Sequence, residues 1–205
     1  MSKPTILLIG AGGHALSCID VIEQEGVYKI AGLIGLTSEM NIQLLRYSVI
    51  GTDKDLAQLA NKHQYAFISV GQIKTPTHRI RLYQDAVKLG FQLPALVSAT
   101  AYVSPHATIE AGTIVMHGAI VNAGARIGKN CIINSRALVE HDTTVEDHCH
   151  ISTGTILNGN VSIGTGSFVG SGSVIKEGVS VGKICTIGMG LSVRHNLTDG
   201  TLCLG

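Results

Sequence analysis

The chain has 205 residues, room for one large domain or two small ones, and its 45% hydrophobic content supplies a core. Fifteen Lys and Arg against fourteen Asp and Glu leave a formal net charge of +1, without the basic stripe that nucleic-acid binding needs. Five cysteines, an odd number with no C-x-x-C pair, argue against a disulfide framework and against a zinc ribbon.

The chain opens with one lysine and a brief apolar run, Ile6 to Ile9, too short for a signal peptide or a membrane span. A reduced, cytoplasmic protein that does not insert into a membrane is expected. "TILLIG" predicts a short buried strand, and "HALSCIDVIEQEG" a helix closed by Gly26. "KIAGLI" is a second strand, Asp53 can cap a helix over "KDLAQLANK", "YAFISVG" is a third strand, and "THRIRLYQDAVKLG" is a helix ending at Gly90. Alternating strands and helices imply an α/β, Rossmann-like domain with a small parallel sheet over residues 1–98.

Between the first strand and first helix lies "GAGGHA", Gly10 to Ala15, which fits G-x-G-x-x-A. In such a loop, backbone amides and a helix N-terminus receive a diphosphate, here through Gly10, Gly12 and Gly13, with His14 within reach of an anionic or sugar group. A bound NAD would also need an acid at the end of the second strand. Gly35 and Leu36 stand there, and Glu39 is the nearest acid, so the diphosphate is read as belonging to a substrate. Glycines that only permit a tight turn are the structural alternative.

From Val103 to Val193 every sixth residue is Ile, Leu or Val, sixteen times without a slip. Those three types fill 59 of 205 positions, so chance would give such a run about once in 10⁸. The residue four places after each aliphatic is usually small, and glycine recurs three places after it, at Gly112, Gly118, Gly124, Gly154, Gly166, Gly172 and Gly178. This is the hexapeptide repeat of a left-handed parallel β-helix, assigned to residues 99–205, with "SATAYVS" as the junction. Three hexads make one coil, so residues eighteen apart stack about 4.8 Å from each other. Cys131, Cys149 and Cys185 share one phase and read as small residues filling an inner corner.

"VEHDTTVEDHCHIST", Val139 to Thr153, gathers three histidines and four carboxylates. In the repeat, His141 and Gly159 lie on the same edge of adjacent coils, which sets a base beside a backbone amide. His150 is half a coil away and cannot share a metal with His141 inside one subunit. His148, His117 and His106 read as surface residues.

The two halves, with "GAGGHA" in front and E-H-D in the repeat, resemble the sugar acyltransferases of the PglD/NeuD type over nearly the whole chain. The resemblance implies a homotrimer with acetyl-CoA as co-substrate in a groove between adjacent β-helices, no permanently bound cofactor and no metal. It also implies a UDP- or dTDP-linked amino-deoxy sugar, acetylated for surface glycan synthesis. By the same resemblance His141 is the catalytic base, Asp142 the carboxylate after it, and Gly159 the amide that meets the thioester oxygen. Asn134, His150, Gly170 and Gly188 fall along the acetyl-CoA site. Asp142 follows His141 directly, and neighbours on a strand point to opposite faces, so it orients His141 only if the backbone turns there. The chain departs from the family at Gly35-Leu36, where an acidic pair is common, and at "TLCLG", where relatives run on through G-x-P-A.

The expected reaction is acetyl transfer to an amine, with O-acetylation of a sialic-acid-like sugar as the nearest alternative. A zinc β-helix enzyme of γ-carbonic-anhydrase type would draw on His117, His141 and His150 from two adjacent subunits, although its H-x-x-x-x-H spacing is absent. A non-catalytic scaffold with a ligand-binding front domain is the remaining alternative.

Overall fold

A computed structural model describes residues 3–205. The front part consists of β1 (Thr5–Ile9), α1 (Gly13–Glu25), β2 (Lys29–Ile34), β3 (Gln43–Leu44), β4 (Tyr47–Gly51), α2 (Leu56–Ala60), β5 (Tyr65–Ile68) and α3 (Thr77–Lys88). The sheet order is β3-β4-β2-β1-β5, parallel except for the short β3–β4 pair. β1 is an interior strand covered on both faces, which is why four consecutive residues, Ile6 to Ile9, are aliphatic and no more than 1% exposed. In α1, Ala15, Cys18, Ile19 and Ile22 form the buried stripe at helical spacing, and Gly26 ends the helix in the left-handed conformation at φ 68°.

The expected Asp53 cap is not formed. Thr52 stands at the N-cap, and Asp55 reaches back to it: its Oδ2 accepts from the Thr52 N–H at 2.8 Å and from the Thr52 hydroxyl at 2.9 Å. Asp53 pairs with Arg81 at 3.0 Å. The capped element is a short 3₁₀ turn over Asp53–Asp55 that starts at Thr52, and α2 then runs only from Leu56 to Ala60.

The rest of the chain winds into a triangular prism of three parallel sheets. The first face stacks seven two-residue strands, from Leu96–Val97 through Ile132–Ile133 and His150–Ile151 to Leu202–Cys203. The second stacks six, from Tyr102–Val103 to Ser192–Val193, and the third five, from Thr108–Ile109 to Ser180–Val181. Partners lie eighteen residues apart, as Ile133 and Ile151 do. The aliphatic column fills the interior, and from Val115 onward each of its members is buried.

Both ends of the repeat differ from the sequence rule. Leu96–Val97 already pairs with Ile114–Val115, so the prism starts one hexad before Val103, with Val97 in phase. At the other end Ile187 pairs with Cys203 and Val181 bridges to Leu197, sixteen residues on, so the last coil is two residues short.

At every turn from Gly112 to Gly190 the third residue is left-handed, with φ between 54° and 76°. The turn imposes this geometry on whatever residue occupies it, including Asn130, Arg136, Asp142, His148, Asn160 and Ile184. The small inner-corner residues also carry a hydrogen-bond ladder. Thr113, Cys131, Cys149 and Ser167 each donate to the carbonyl fifteen residues later, Cys149 Sγ reaching Gly164 O at 3.2 Å. The cysteines are therefore small, buried donors, as their common phase suggested.

The front part sits on the first face. Leu96, Ile114, Met116 and Ile132 share one apolar cluster with Cys18, Ile19, Ile22 and Phe67. His150 continues the outward column of that face, between Ile132 and Phe168.

Candidate active site

The edge between the second and third faces carries His141. The left-handed turn at Asp142 (φ 61°) swings its carboxylate back, and Asp142 Oδ2 accepts from His141 Nδ1 at 2.9 Å. The backbone bend that an adjacent carboxylate requires is thus supplied by the repeat itself. With its proton on Nδ1, the ring leaves the Nε2 lone pair available for a proton. A methyl group on Gly159 would lie 2.7 Å from Nε2 and from Cε1, so the ring lies directly over the glycine and only hydrogen fits there. The Gly159 N–H donates to no other described residue. Glu140, the first residue of E-H-D, braces the turn: its Oε2 accepts from Asn122 Nδ2 at 2.8 Å and from the His141 N–H at 3.3 Å. Both His141 and Asp142 are well exposed, so this edge is open to solvent or to another molecule.

A second cluster lies on the first face, under the front part. His150 is 6% exposed. Its Nδ1 donates to the Gln72 carbonyl, and its Nε2 accepts from Asn134 Nδ2 at 3.1 Å, a pairing that fits only the neutral ring. Burial, reinforced by the Arg79 guanidinium and opposed by the Gln72 carbonyl, lowers the pKa of His150 to about 4. Gln72 is a further residue invisible to sequence motifs: its Nε2 donates to His148 O at 3.0 Å and to Gly166 O at 3.3 Å, stapling the loop after β5 to the prism. Arg79 does the same from α3. It is 1% exposed and donates to Ile68 O and Val70 O at 2.6 Å and to Asn130 O at 3.3 Å.

His150 forms the floor of a cleft of about 500 Å³ whose walls are Gly12, Gly13, His14 and the segment Ser69–Ile73. The three glycines of the loop have different reasons to be glycine. Gly10 has φ 122° and is pressed by Val70. Gly12 and Gly13 have nothing within 4 Å of where a side chain would stand, so the open cleft, not the fold, is what faces them. α1 begins here with no side-chain cap and no acid in its first turn, which leaves its amides directed at the cleft. Burial, then the Arg79 and His150 charges, push the His14 pKa down to about 3, and its Nε2 has no partner among the described residues. His14 is therefore a neutral imidazole that can bond a hydroxyl or an amine; it does not supply a positive charge for a phosphate.

The structure thus gathers His141, Asp142 and Gly159 at one edge, and His150, His14, Gly12 and Gly13 around the cleft, with Asn134 joined to it through His150. Gly170 and Gly188 belong to neither group. They stack in the Asn134 column along the edge between the first and second faces, and a methyl on Gly170 would lie 2.6 Å from the Gly188 backbone. Coil stacking alone accounts for Gly170. His148 is half-buried, not the freely solvated residue expected. Its left-handed backbone turns the ring against Tyr83 (5.5 Å between centroids), and Asn130 Nδ2 lies 3.0 Å from its Nδ1. His117 is tied between the Ser98 hydroxyl at 2.7 Å and the Asp20 carboxylate at 2.9 Å, while His106 is exposed. Within one chain the rings named for the zinc alternative stand apart, and both ring nitrogens of His150 are already hydrogen-bonded, to Gln72 O and Asn134 Nδ2. No cluster of three or more His, Cys, Asp or Glu suited to a metal occurs among the described residues. Burial also pushes the Cys149 thiol well above its ordinary pKa, which removes it as a nucleophile. Among the described residues no helix is long and apolar enough to cross a membrane.

Comparison with known proteins agrees with this division. Residues 5–84 match the family model for the PglD N-terminal domain, and residues 124–158 and 160–194 match that for the hexapeptide repeat of succinyl-transferase. The chain is 30% identical to perosamine N-acetyltransferase from Caulobacter crescentus, solved with CoA and GDP-perosamine as a variant in which one histidine is replaced by asparagine. That alignment covers 100% of this chain and 95% of the other, with a TM-score of 0.93. The chain is 31% identical to the acetyltransferase domain of PglB from Neisseria gonorrhoeae, solved with acetyl coenzyme A. There the coverage is 97% and 95%, and the TM-score is 0.88.

Proposed function

Because the chain belongs to the PglD-like sugar acetyltransferases, we propose that it transfers acetyl from acetyl-CoA to the amino group of a nucleotide-linked amino-deoxy sugar. The observation that carries the chemistry is the His141–Asp142 pair. It fixes one tautomer and aims Nε2 across Gly159, where a thioester and an amine can meet.

In the proposed reaction the amine nitrogen attacks the thioester carbonyl carbon while His141 Nε2 takes its proton; a positioned base of this kind contributes roughly 10²–10⁴-fold. The resulting oxyanion accepts a hydrogen bond from the Gly159 N–H, a contact worth about 3–4 kcal/mol. Collapse breaks the carbon–sulfur bond, and the departing thiolate recovers the proton from the imidazolium. No acyl-enzyme forms.

The front part is proposed to hold the nucleotide, with the diphosphate at Gly12 and Gly13 and the amino sugar reaching past His14 toward His150. Residues 1–98 and 99–205 would then divide the work between the sugar nucleotide and acetyl-CoA. The cleft and the His141 edge are separate within one chain, so a second subunit must bring its edge to the cleft. A homotrimer of the prism provides this with three equivalent sites. Gly170 and Gly188 would lie beside acetyl-CoA only through such a neighbour. The cytoplasm is the proposed compartment, where the five unpaired thiols stay reduced.

The test is a thiol-release assay with acetyl-CoA over GDP-, UDP- and dTDP-linked amino sugars, with sialic acids alongside. Turnover of an amino sugar is the expected result; turnover of sialic acids alone would move the reading to O-acetylation.

A further inference from the structure

The acid missing from the end of β2 is replaced in space by one from farther along the chain. Gly35 follows β2 directly, at the position from which dinucleotide-binding folds direct a carboxylate at a ribose. Here a 3₁₀ turn over Thr37–Glu39 brings Glu39 back, and its Oε2 accepts from the Leu36 N–H at 2.7 Å. A methyl on Gly35 would lie 2.7 Å from that same oxygen. The Glu39 carboxylate therefore occupies the room that a side chain at position 35 would take, and glycine at 35 is what admits it.

That carboxylate lines a cleft of about 190 Å³ together with Gly10, Ala11, Gly12, Ile34 and Leu36, and so faces the glycine loop from the side of β2. The other acid of the cleft, Asp53, is engaged by Arg81 at 3.0 Å, whereas Glu39 Oε1 has no hydrogen bond to a described residue. A carboxylate only accepts hydrogen bonds and repels phosphate, so its ligand must be a donor beside the diphosphate and not the diphosphate itself. The 2′,3′-diol of a ribose offers two adjacent O–H donors one sugar away from the phosphates.

We infer that Glu39 is a specificity-determining residue that takes the ribose diol of the substrate, so that the amino sugar is carried by a ribonucleoside diphosphate and not by a 2′-deoxyribonucleotide such as dTDP. This deepens the proposed function and rests on its assignment of the nucleotide to the front part.

Calorimetric titration with UDP, GDP and their 2′-deoxy counterparts tests it, on the wild-type protein, Glu39→Ala and Gly35→Ala. The wild type is expected to bind the ribo form of its preferred base about tenfold or more tightly than the 2′-deoxy form, as a hydrogen bond to a charged group implies. Both variants are expected to shrink that ratio to about twofold or less while keeping the wild-type affinity for acetyl-CoA, since each removes or displaces the same carboxylate. Equal binding of ribo and deoxy forms by the wild type, or a ratio that survives Glu39→Ala, overturns the proposal and leaves the nucleotide site standing. If acetyl-CoA binds and no nucleoside diphosphate does, the nucleotide assignment of the front part is itself wrong, and the proposal falls with it.

Discussion

At the scale of single residues, tautomer control decides what each histidine can do. Asp142 holds the His141 proton on Nδ1, so Asp142→Asn should lower kcat by about tenfold or more while changing the KM for acetyl-CoA little, which steady-state kinetics would show. The pair is exposed, so the loss should fall well short of that for a buried triad. His14 and His150 behave oppositely. Their folded pKa values, about 3 and about 4, lie below the ordinary 6.5, so as pH falls the unfolded chain takes up protons first. Their contribution to stability is complete above about pH 6.5 and is lost as pH falls toward 4 and then 3. Melting temperatures measured between pH 4 and pH 8 should show this loss, and it should flatten in His150→Gln and His14→Gln. The sequence made the closeness of His141 and Gly159 legible because the eighteen-residue stacking is a local rule, whereas Asp142 came from the family resemblance alone and its aim depends on the left-handed turn at φ 61°. The partial cover of His148 was not legible because Tyr83, which packs against it, comes from α3, which no repeat arithmetic places.

At the scale of the turn, the prism imposes left-handed backbone wherever its third position falls. Glycine and asparagine accept this readily, but Ile184 is β-branched and sits at φ 55° with its side chain half exposed. Ile184→Asn should therefore stabilise the fold by about 1 kcal/mol, seen as a rise of a few degrees in Tm. Opposite in sign, Thr155→Val keeps the shape but deletes the donor to Gly170 O at 3.1 Å; it should cost about 1 kcal/mol in the same measurement. The sixteen aliphatics announced the prism because each coil must fill the same interior, and that demand is written into the spacing. The shortened last coil was not legible, since there the chain leaves the spacing: Asp199 stands where the next aliphatic would fall, and its Oδ1 accepts from the Lys183 N–H at 2.7 Å. The Glu39 turn was equally hidden, because its destination beside Gly35 depends on a 3₁₀ turn with no sequence signature.

At the scale of the whole molecule, the proposed function has the His141 edge of one chain meet the cleft of a neighbour. Mixed trimers reassembled from His141→Ala and His150→Gln chains, each nearly inactive alone, should regain about a quarter of wild-type sites by random pairing. Full activity in a species of monomeric mass would defeat that shared arrangement. The placement of the front part on the first face was beyond sequence reading, because Leu96, Ile114 and Ile132 look like any other apolar strand residues until α1 covers them. The proposed role of His141 as the base for an amine acceptor is tested most directly by the kinetics of His141→Ala as a function of pH. With the Gly159 amide retained, acetyl-CoA should bind with nearly wild-type affinity while kcat falls by about 10²-fold or more. The deficit should narrow at high pH, where the free amine forms without help from the protein. Wild-type turnover in His141→Ala, or a deficit that is the same at every pH, would contradict the account.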